Sequence, residues 1–127
     1  MDSATNNWLR LAAYELETAR AMVAAERTLY VVIACQQACE KAIKAVISQH
    51  TSTVPPRSHD LIILARVAAL DLSEPHAELL TYLNQSLMVV RYPTDLEEAE
   101  RAFPLQAVEP LVPKTEAFLT WLQSLVG

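Results

Sequence analysis

Two side chains of this chain, Arg91 and His59, are suited to chemistry on a phosphate ester. A guanidinium group binds a phosphate through two parallel hydrogen bonds, and an imidazole changes its protonation near neutral pH. Arg91 stands in the sequence RYP, and His59 is followed directly by Asp60 in SHDL. If the loop before the third predicted helix meets the end of the fourth, Asp60 would orient His59 as a general base close to Arg91.

Both residues also have a purely structural interpretation. Arg91 lies at the predicted carboxyl end of a helix, where a cation is stabilised by exposed carbonyl groups, and Pro93 then ends that helix. His59 fits a helix cap or a core hydrogen bond at the start of another helix. The other two histidines, His50 and His76, have no supporting neighbours and are expected to be exposed. The residues alone leave both interpretations open.

A row of polar residues interrupts the apolar stretch QQACEKAIKA, residues 36–45. At roughly 100° per residue, the row falls within an arc of about 140°. Its members, joined by Tyr30, are Gln36, Gln37, Glu40, Lys41 and Lys44. The row fits a solvated face with a Glu40–Lys44 ion pair worth a few tenths of a kcal/mol. It also fits a surface kept for a nucleotide, an RNA or a second subunit.

Length and hydropathy favour one domain, residues 1–127, that buries a core without metals or disulfides. The longest apolar runs are far short of a membrane span. The start, MDSATNNWLR, lacks the basic and long apolar segments of a secretory signal. We therefore expect a cytoplasmic protein without membrane contact.

Charge and residue usage exclude several function classes. The formal net charge of −5 argues against broad, charge-driven nucleic-acid binding but permits a local basic site. The only glycine is Gly127, so the chain has no glycine loop for a phosphate, which excludes P-loop and Rossmann functions. Cys35 and Cys39 share one helix face, where they cannot form a disulfide. No histidine or cysteine nearby completes a metal set, so we predict buried, inert thiols, no metal and no cofactor.

Helical periodicity predicts the elements that must position these residues. The first helix includes the apolar positions from Leu9 onward, and the second runs from about Leu29 to Gln49. Small residues on the second helix suit the centre of a bundle, because they let neighbouring helices approach closely. The paired prolines of TSTVPPRS then end it.

The second half of the chain continues the helical pattern, with a recognisable signal at each helix start. These signals are Ser58 as a cap of the third helix, Ser73 with Pro75 for the fourth, and a capping box of Thr94 and Glu97 for a short helix. The last helix runs from about Gln106 to Leu125, and Pro110 and Pro113 should fray or kink its start. No run shows the strand period of two. We predict an all-α, up-down helical bundle of four main helices plus a short extra helix.

Taken in order, these motifs resemble the HEPN domain family (higher eukaryotes and prokaryotes nucleotide-binding), the small stand-alone type often paired with a minimal nucleotidyltransferase. The resemblance spans nearly the whole chain. It rests on Trp8, Tyr30, the Gln-Gln-x-x-Glu-Lys-x-x-Lys run of residues 36–44, the triplet His59-Asp60-Leu61 and the triplet Arg91-Tyr92-Pro93.

The resemblance implies a helical homodimer that binds a nucleotide or RNA and acts with a minimal nucleotidyltransferase, in some cases as a toxin–antitoxin module. The polar row of the second helix would then line a groove between helices or subunits. The candidate nucleotide- or RNA-binding residues are Arg91, Tyr92, Lys41, Lys44 and Gln37. Tyr92 would supply a stacking surface for a base or a hydroxyl for a partner enzyme to modify.

A large branch of the family cleaves RNA without metal, using an Arg-x(4–6)-His motif assembled across the dimer. This chain keeps the arginine as Arg91, but Leu96, Glu97 and Glu98 occupy the positions where the histidine would stand. The departure favours a binding protein over an enzyme. The alternative is a metal-independent RNase that pairs Arg91 with a non-standard base, so Arg91 and His59 are the candidate catalytic residues.

Overall fold

The protein is entirely helical over the residues that the structure describes, 2–51 and 53–127. In these residues the computed structural model has no strand, and its helices are α1 (Ser3–Ala24), α2 (Thr28–Thr51), α3 (Leu61–Val67), α4 (Glu74–Arg91), α5 (Leu96–Ala102), α6 (Leu105–Val108) and α7 (Leu111–Val126). The predicted all-α bundle is confirmed. Its four main helices are α1, α2, α4 and α7, and they are accompanied by three short helices rather than one.

Helix α2 occupies the centre of the bundle, as its composition predicted. It packs against each of the other described helices, most extensively against α1, α7 and α4. Alanine and cysteine make up much of its buried surface, at Ala34, Cys35, Ala38, Cys39, Ala42 and Ala45. Such small side chains allow several helices to pack against one axis. Among the described residues, no helix is both long enough and apolar enough to cross a membrane.

The two thiols of α2 are buried and are not joined in a disulfide. Burial raises the pKa of Cys35 to about 11 and raises the pKa of Cys39 further above its ordinary value. Both groups are therefore protonated at neutral pH, and a protonated thiol is a poor nucleophile. The predicted inert, buried cysteines agree with this arrangement.

Side-chain caps set the helix starts, and two of them differ from the sequence-based assignment. Ser73 caps α4 as predicted. Helix α3 is capped by Asp60 rather than Ser58, and α5 is capped by Asp95 rather than Thr94. The two assignments are wrong by one or two residues, since a carboxylate is favoured over a hydroxyl at the positive end of a helix.

Two chain reversals use the left-handed conformation without glycine. Glu26 (φ 56°) follows α1 and Ala69 (φ 55°) follows α3. After α1, the N–H of Arg27 donates to the carbonyl of Met22 and the N–H of Glu26 to that of Val23, the pattern of a Schellman motif. The turn brings α2 back against α1 within three residues. Farther along, the last helix predicted from about Gln106 is divided in two, because α6 ends at Val108 and α7 begins at Leu111, directly after Pro110.

Candidate functional site

The core of the polar row on α2 is buried between helices rather than solvated. The exposed fractions of Gln36, Glu40 and Lys44 are 0%, 4% and 7%. Gln37 and Lys41 are half-buried. The solvated-face interpretation is therefore wrong for the three central residues.

Glu40 is the hub of this buried polar cluster. Its Oε2 accepts a hydrogen bond from Nζ of Lys44 at 2.9 Å. Its Oε1 accepts one from Nε2 of Gln36 at 3.2 Å and lies 2.9 Å from Nδ1 of His59. Burial by itself opposes ionisation, but the hydrogen bonds from Lys44, His59 and Gln36 outweigh it, so the pKa of Glu40 lies below its ordinary value. The carboxylate is thus ionised at neutral pH.

His59 is anchored to α2 through both its ring and its backbone. An ionised carboxylate can only accept hydrogen bonds, so Nδ1 of His59 must donate to Glu40. The carbonyl of His59 also accepts a hydrogen bond from Nε2 of Gln36 at 3.0 Å. The side chain of His59 nevertheless keeps 60% of its surface exposed. Its Nε2 is the nitrogen left for an external partner.

Asp60 does not orient His59, contrary to the sequence-based hypothesis. Its Oδ1 accepts hydrogen bonds from the first backbone N–H groups of α3 and from Nδ2 of Asn84 at 2.8 Å. Oδ1 of Asn84 in turn accepts from the N–H of Leu61 at 2.9 Å. The backbone N–H of Ile63 and then the Asn84 amide hold the pKa of Asp60 below its ordinary value. This clamp attaches the start of α3 to α4 and brings His59 towards the end of α4.

The loop before α3 and the end of α4 do meet, in a groove of about 460 Å³. Its volume is within the range of small-ligand sites. The groove, called the Arg91 groove below, is lined by Tyr30, Ile33, Gln37, His59, Val90 and Arg91. Three of the residues singled out from the sequence, Arg91, His59 and Gln37, therefore share one concave surface.

Arg91 supplies the positive charge of this groove. It is the last residue of α4 and is exposed, and its guanidinium lies 5.7 Å from the ring centroid of Tyr92. Within residues 2–51 and 53–127, no carboxylate forms an ion pair with it. Both the helix-end and the phosphate-binding interpretations remain compatible with this position, since a cation at a helix carboxyl terminus is also accessible to a ligand.

Comparison with known proteins gives the family. The HEPN domain family matches residues 5–125. The chain belongs to the HEPN domain family. No curated protein matches it.

Solved structures show the same HEPN domain fold at low sequence identity. The crystal structure of TT1696 from Thermus thermophilus has a TM-score of 0.81 and 20% identity, covering 97% of this chain and 98% of that one. The crystal structure of ST0689, an archaeal HEPN homologue, has a TM-score of 0.78 and 18% identity, covering 99% of this chain and 100% of that one. At this level of sequence identity, the structural similarity is evidence for a shared fold only.

The other candidate binding residues of this HEPN domain do not line the Arg91 groove. Lys44 is buried, paired with Glu40, and its Nζ lies 5.7 Å from the ring centroid of Trp8. Lys41 forms an ion pair with Glu15 of α1. Tyr92 lines a neighbouring groove of about 350 Å³ beside α5, and its ring lies next to the Arg91 guanidinium. Both lysine ammonium groups therefore form ion pairs with glutamates of this chain.

His76 departs from its expected exposure. Its ring lies 5.2 Å from that of Phe118 and 5.1 Å from that of Trp121, centroid to centroid. Within the described residues its Nδ1 is buried without a hydrogen-bond partner, and burial lowers its pKa. The expectation of an exposed His76 is wrong, because α7 packs across the first turn of α4. His50 is exposed as expected.

Sequence reasoning recognised Glu40 as an ion-pair partner of Lys44 but missed its contact with His59. The i, i+4 spacing of Glu40 and Lys44 was the available signal. The contact with His59 joins residues 19 apart across a loop, and no local pattern encodes it. Asn84, which holds the start of α3, was missed for the same reason.

Proposed function

We propose that this HEPN domain protein is a cytoplasmic homodimer that binds a nucleotide or an RNA phosphate in the Arg91 groove. In this proposal it acts with a minimal nucleotidyltransferase as part of a toxin–antitoxin module. The main support for this binding site is that Arg91, Gln37 and His59 line one groove. The partner and the module come from the family resemblance alone.

The composition of the groove supports a ligand with a phosphate and a base. Arg91 offers a bidentate donor for phosphate oxygens. Tyr30 is half-exposed at the groove and offers a face on which a base can stack. Gln37 donates its amide to Oε1 of Gln36 at 2.9 Å, which leaves its own carbonyl oxygen for a ligand. With a net charge of −5, attraction of a polyanion would depend on this local site.

An exposed apolar surface next to Arg91 supports pairing with a second copy. Met88, Val89, Tyr92 and Leu96 are large apolar residues with more than a third of their surface exposed. All of them lie in the last turn of α4, the segment after it or the start of α5. Three of them, Met88, Val89 and Tyr92, line one groove beside α5. Exposed apolar residues on one surface favour a protein contact, and a twofold interface uses the same surface on both copies. Such a dimer would bring two Arg91 grooves close together.

Equilibrium binding of a fluorescently labelled single-stranded RNA, followed by anisotropy, tests the binding site. Arg91→Ala is expected to weaken binding at least about tenfold, the effect of losing a charge-assisted bidentate contact. The matched control is Arg10→Ala, which removes an exposed arginine on α1. Equal losses for the two variants would indicate nonspecific attraction and contradict the proposed site.

Light scattering coupled to size-exclusion chromatography tests the dimer. Met88→Lys is expected to convert the dimer to a monomer, since it places a charge in the apolar interface. Val54→Lys is the control, because Val54 is even more exposed and lies in the loop after α2. A wild-type protein that stays monomeric at high micromolar concentration would refute the homodimer.

A second candidate function, metal-independent RNA cleavage, is favoured by one observation. His59 is oriented by a buried carboxylate in the groove that contains Arg91, which is an arrangement of base and phosphate-binding cation. Labelled RNA incubated with excess chelator should then be cut by the wild type and not by Arg91→Ala or His59→Ala. His50→Ala should cut normally. Cleavage that survives in both site variants would assign it to a contaminant.

A further inference from the structure

The buried ion pair of Glu40 and Lys44, which lies beneath His59, is not explained by its contribution to stability alone. Taking Glu40 and Lys44 out of water is costly, and apolar residues of similar volume are often equally stabilising in such places. Their side chains are only 5% and 8% exposed. The carboxylate nevertheless extends one oxygen to the ring of His59, a side chain with 60% of its surface in solvent. The pair therefore controls a residue that faces outward.

Lys44 determines what Glu40 can do to that ring. A buried carboxylic acid without a cation would tend to keep its proton and could then donate to Nδ1. Because Lys44 donates to Oε2 at 2.9 Å, Glu40 remains ionised and is only an acceptor. Gln36 gives the other oxygen a second donor and fixes the carboxylate plane.

An acceptor at Nδ1 decides the tautomer of a neutral imidazole. A neutral ring carries one N–H, so a proton on Nδ1 leaves a lone pair on Nε2. An imidazole without such a partner favours the opposite tautomer, with the proton on Nε2. The exposed part of the ring, which lines the Arg91 groove, then includes a basic nitrogen. The charged groups around His59 are Glu40 and Lys44 on α2, the adjacent Asp60 and Arg91 on α4.

We propose that Glu40 is a positioning residue, which holds the Nδ1–H of His59 and keeps Nε2 available to accept a proton from a hydroxyl group of a ribonucleotide in the Arg91 groove. The role of Glu40 rests on the proposed function, because it concerns the same groove. The ligand is the RNA of the proposed function, with a 2′-hydroxyl next to the bound phosphate. Arg91 would hold that phosphate.

The corresponding reaction step is a transesterification. Nε2 of His59 takes the proton of the 2′-hydroxyl while the 2′-oxygen forms a bond to phosphorus and the bond from phosphorus to the 5′-oxygen breaks. The departing 5′-oxygen takes a proton from water, and His59 later returns its own proton to the solvent. The products are a 2′,3′-cyclic phosphate and a 5′-hydroxyl, and no oxidant, reductant or metal is needed.

Nitrogen-15 NMR of the imidazole groups tests the tautomer directly in the full chain. Spectra are recorded about two pH units above the ordinary histidine pKa of about 6.5, so that neutral imidazole rings are observed. Its signals are assigned by their loss in His59→Gln. The expected result is a proton on Nδ1 and an unprotonated Nε2. A proton on Nε2, or rapid exchange between the two forms, would overturn the proposal.

A double variant, Glu40→Leu with Lys44→Leu, separates positioning from packing. It removes both charges together and leaves no unpaired one, so folding is preserved better than in the single variant. The Nε2–H tautomer is expected to become dominant, and any RNA cleavage in chelator should fall at least about a hundredfold, the usual contribution of a general base. Persistence of Nδ1–H in this variant would show that Glu40 does not set the tautomer.

The matched control is Arg20→Leu with Glu116→Leu, which removes an ion pair between α1 and α7. It should leave the tautomer and any cleavage unchanged. The proposed function is tested separately by RNA binding of Arg91→Ala, which does not depend on the tautomer. Normal RNA binding by Arg91→Ala would refute the site, whereas a wrong tautomer with impaired binding would refute only the role of Glu40.

Discussion

His59 and His76 each lie near the start of a helix, but their surroundings differ in kind. His59 has an ionised carboxylate 2.9 Å from Nδ1, keeps 60% of its side-chain surface exposed and lines the Arg91 groove. His76 packs against Phe118 and Trp121, and in the described chain its Nδ1 is buried with no partner. The first environment gives the ring nitrogen a counter-charge, whereas the second leaves a ring nitrogen buried without one.

The difference shows how one residue type is directed either to chemistry or to packing. A neighbouring carboxylate accommodates a protonated imidazole, whereas burial lowers the pKa of His76 and favours its neutral form. Both outcomes depend on helices that approach from elsewhere in the chain: α2 for His59 and α7 for His76. Three sets of measurements test this contrast, and a fourth provides a reference outside both regions.

The largest effect is expected from removing Glu40 alone. Glu40→Leu leaves the ammonium group of Lys44 buried without its counter-charge, which should lower the free energy of unfolding by about 3–5 kcal/mol. Adding Lys44→Leu should restore most of that loss. Urea unfolding of both variants measures the difference. Equal stabilities of the single and double variants would mean that Lys44 escapes to solvent and that the cluster is not a closed interior unit.

Truncating the two histidines should give unequal losses. His76→Ala is expected to cost about 2 kcal/mol, since it removes a ring packed between two aromatic residues, whereas His59→Ala should cost less than about 1 kcal/mol. His76→Phe should stabilise the protein by about 1 kcal/mol, because it removes a buried nitrogen without a partner. Thermal and urea unfolding report these values. A larger loss for His59→Ala would reverse the assignment of roles.

The pH dependence of stability should separate the two regions. The pKa of His76 is lower in the folded protein than its ordinary value of 6.5, so the unfolded chain takes up a proton first. Stability is therefore expected to fall as the pH drops below about 6.5, and this loss should be absent in His76→Phe. The contribution of Glu40, whose pKa lies below 4.5, should persist until the pH falls below that ordinary value. Urea midpoints measured across this range test both windows.

The smallest change in stability is expected at Ala69, which lies outside both histidine regions and serves as a reference for them. Ala69 adopts a left-handed conformation (φ 55°), which costs a residue with a Cβ about 1–2 kcal/mol. Ala69→Gly should therefore stabilise the protein by up to about 1 kcal/mol after the added chain entropy is deducted. Ala68→Gly is the control, because Ala68 is right-handed (φ −76°) and should only lose stability. Both changes should leave RNA binding unaltered.

Much of the fold was predictable because helices are local structures. Periodic apolar residues indicated the helices, Ser73 and the prolines marked boundaries, and the small residues of α2 indicated its central place. The errors at Ser58 and Thr94 were small, since several residues near a helix start compete to cap it. The short helix α6 was not separated from α7, because the chain between them keeps helical spacing up to its prolines.

The candidate site was predictable only in part. Arg91, His59 and Gln37 were identified as candidates from their chemistry and from the family resemblance, and the structure brings them together. Which residue orients His59 was not predictable, because Asp60 was adjacent in sequence and Glu40 was 19 residues away. The burial of Lys44 was missed as well, since its spacing from Glu40 suits an exposed ion pair equally well.

The helical bundle, the approximate helix positions and the family resemblance could be predicted from the sequence, because apolar periodicity and short motifs each involve residues close together in the chain. The burial of Glu40, Lys44 and Gln36, the contact of Glu40 with His59 and the shared groove of His59 and Arg91 became apparent only in the folded structure. These contacts join α2, the loop before α3 and the end of α4. Their physical basis is the packing of helices distant in sequence, which sets both the burial and the partner of each charge.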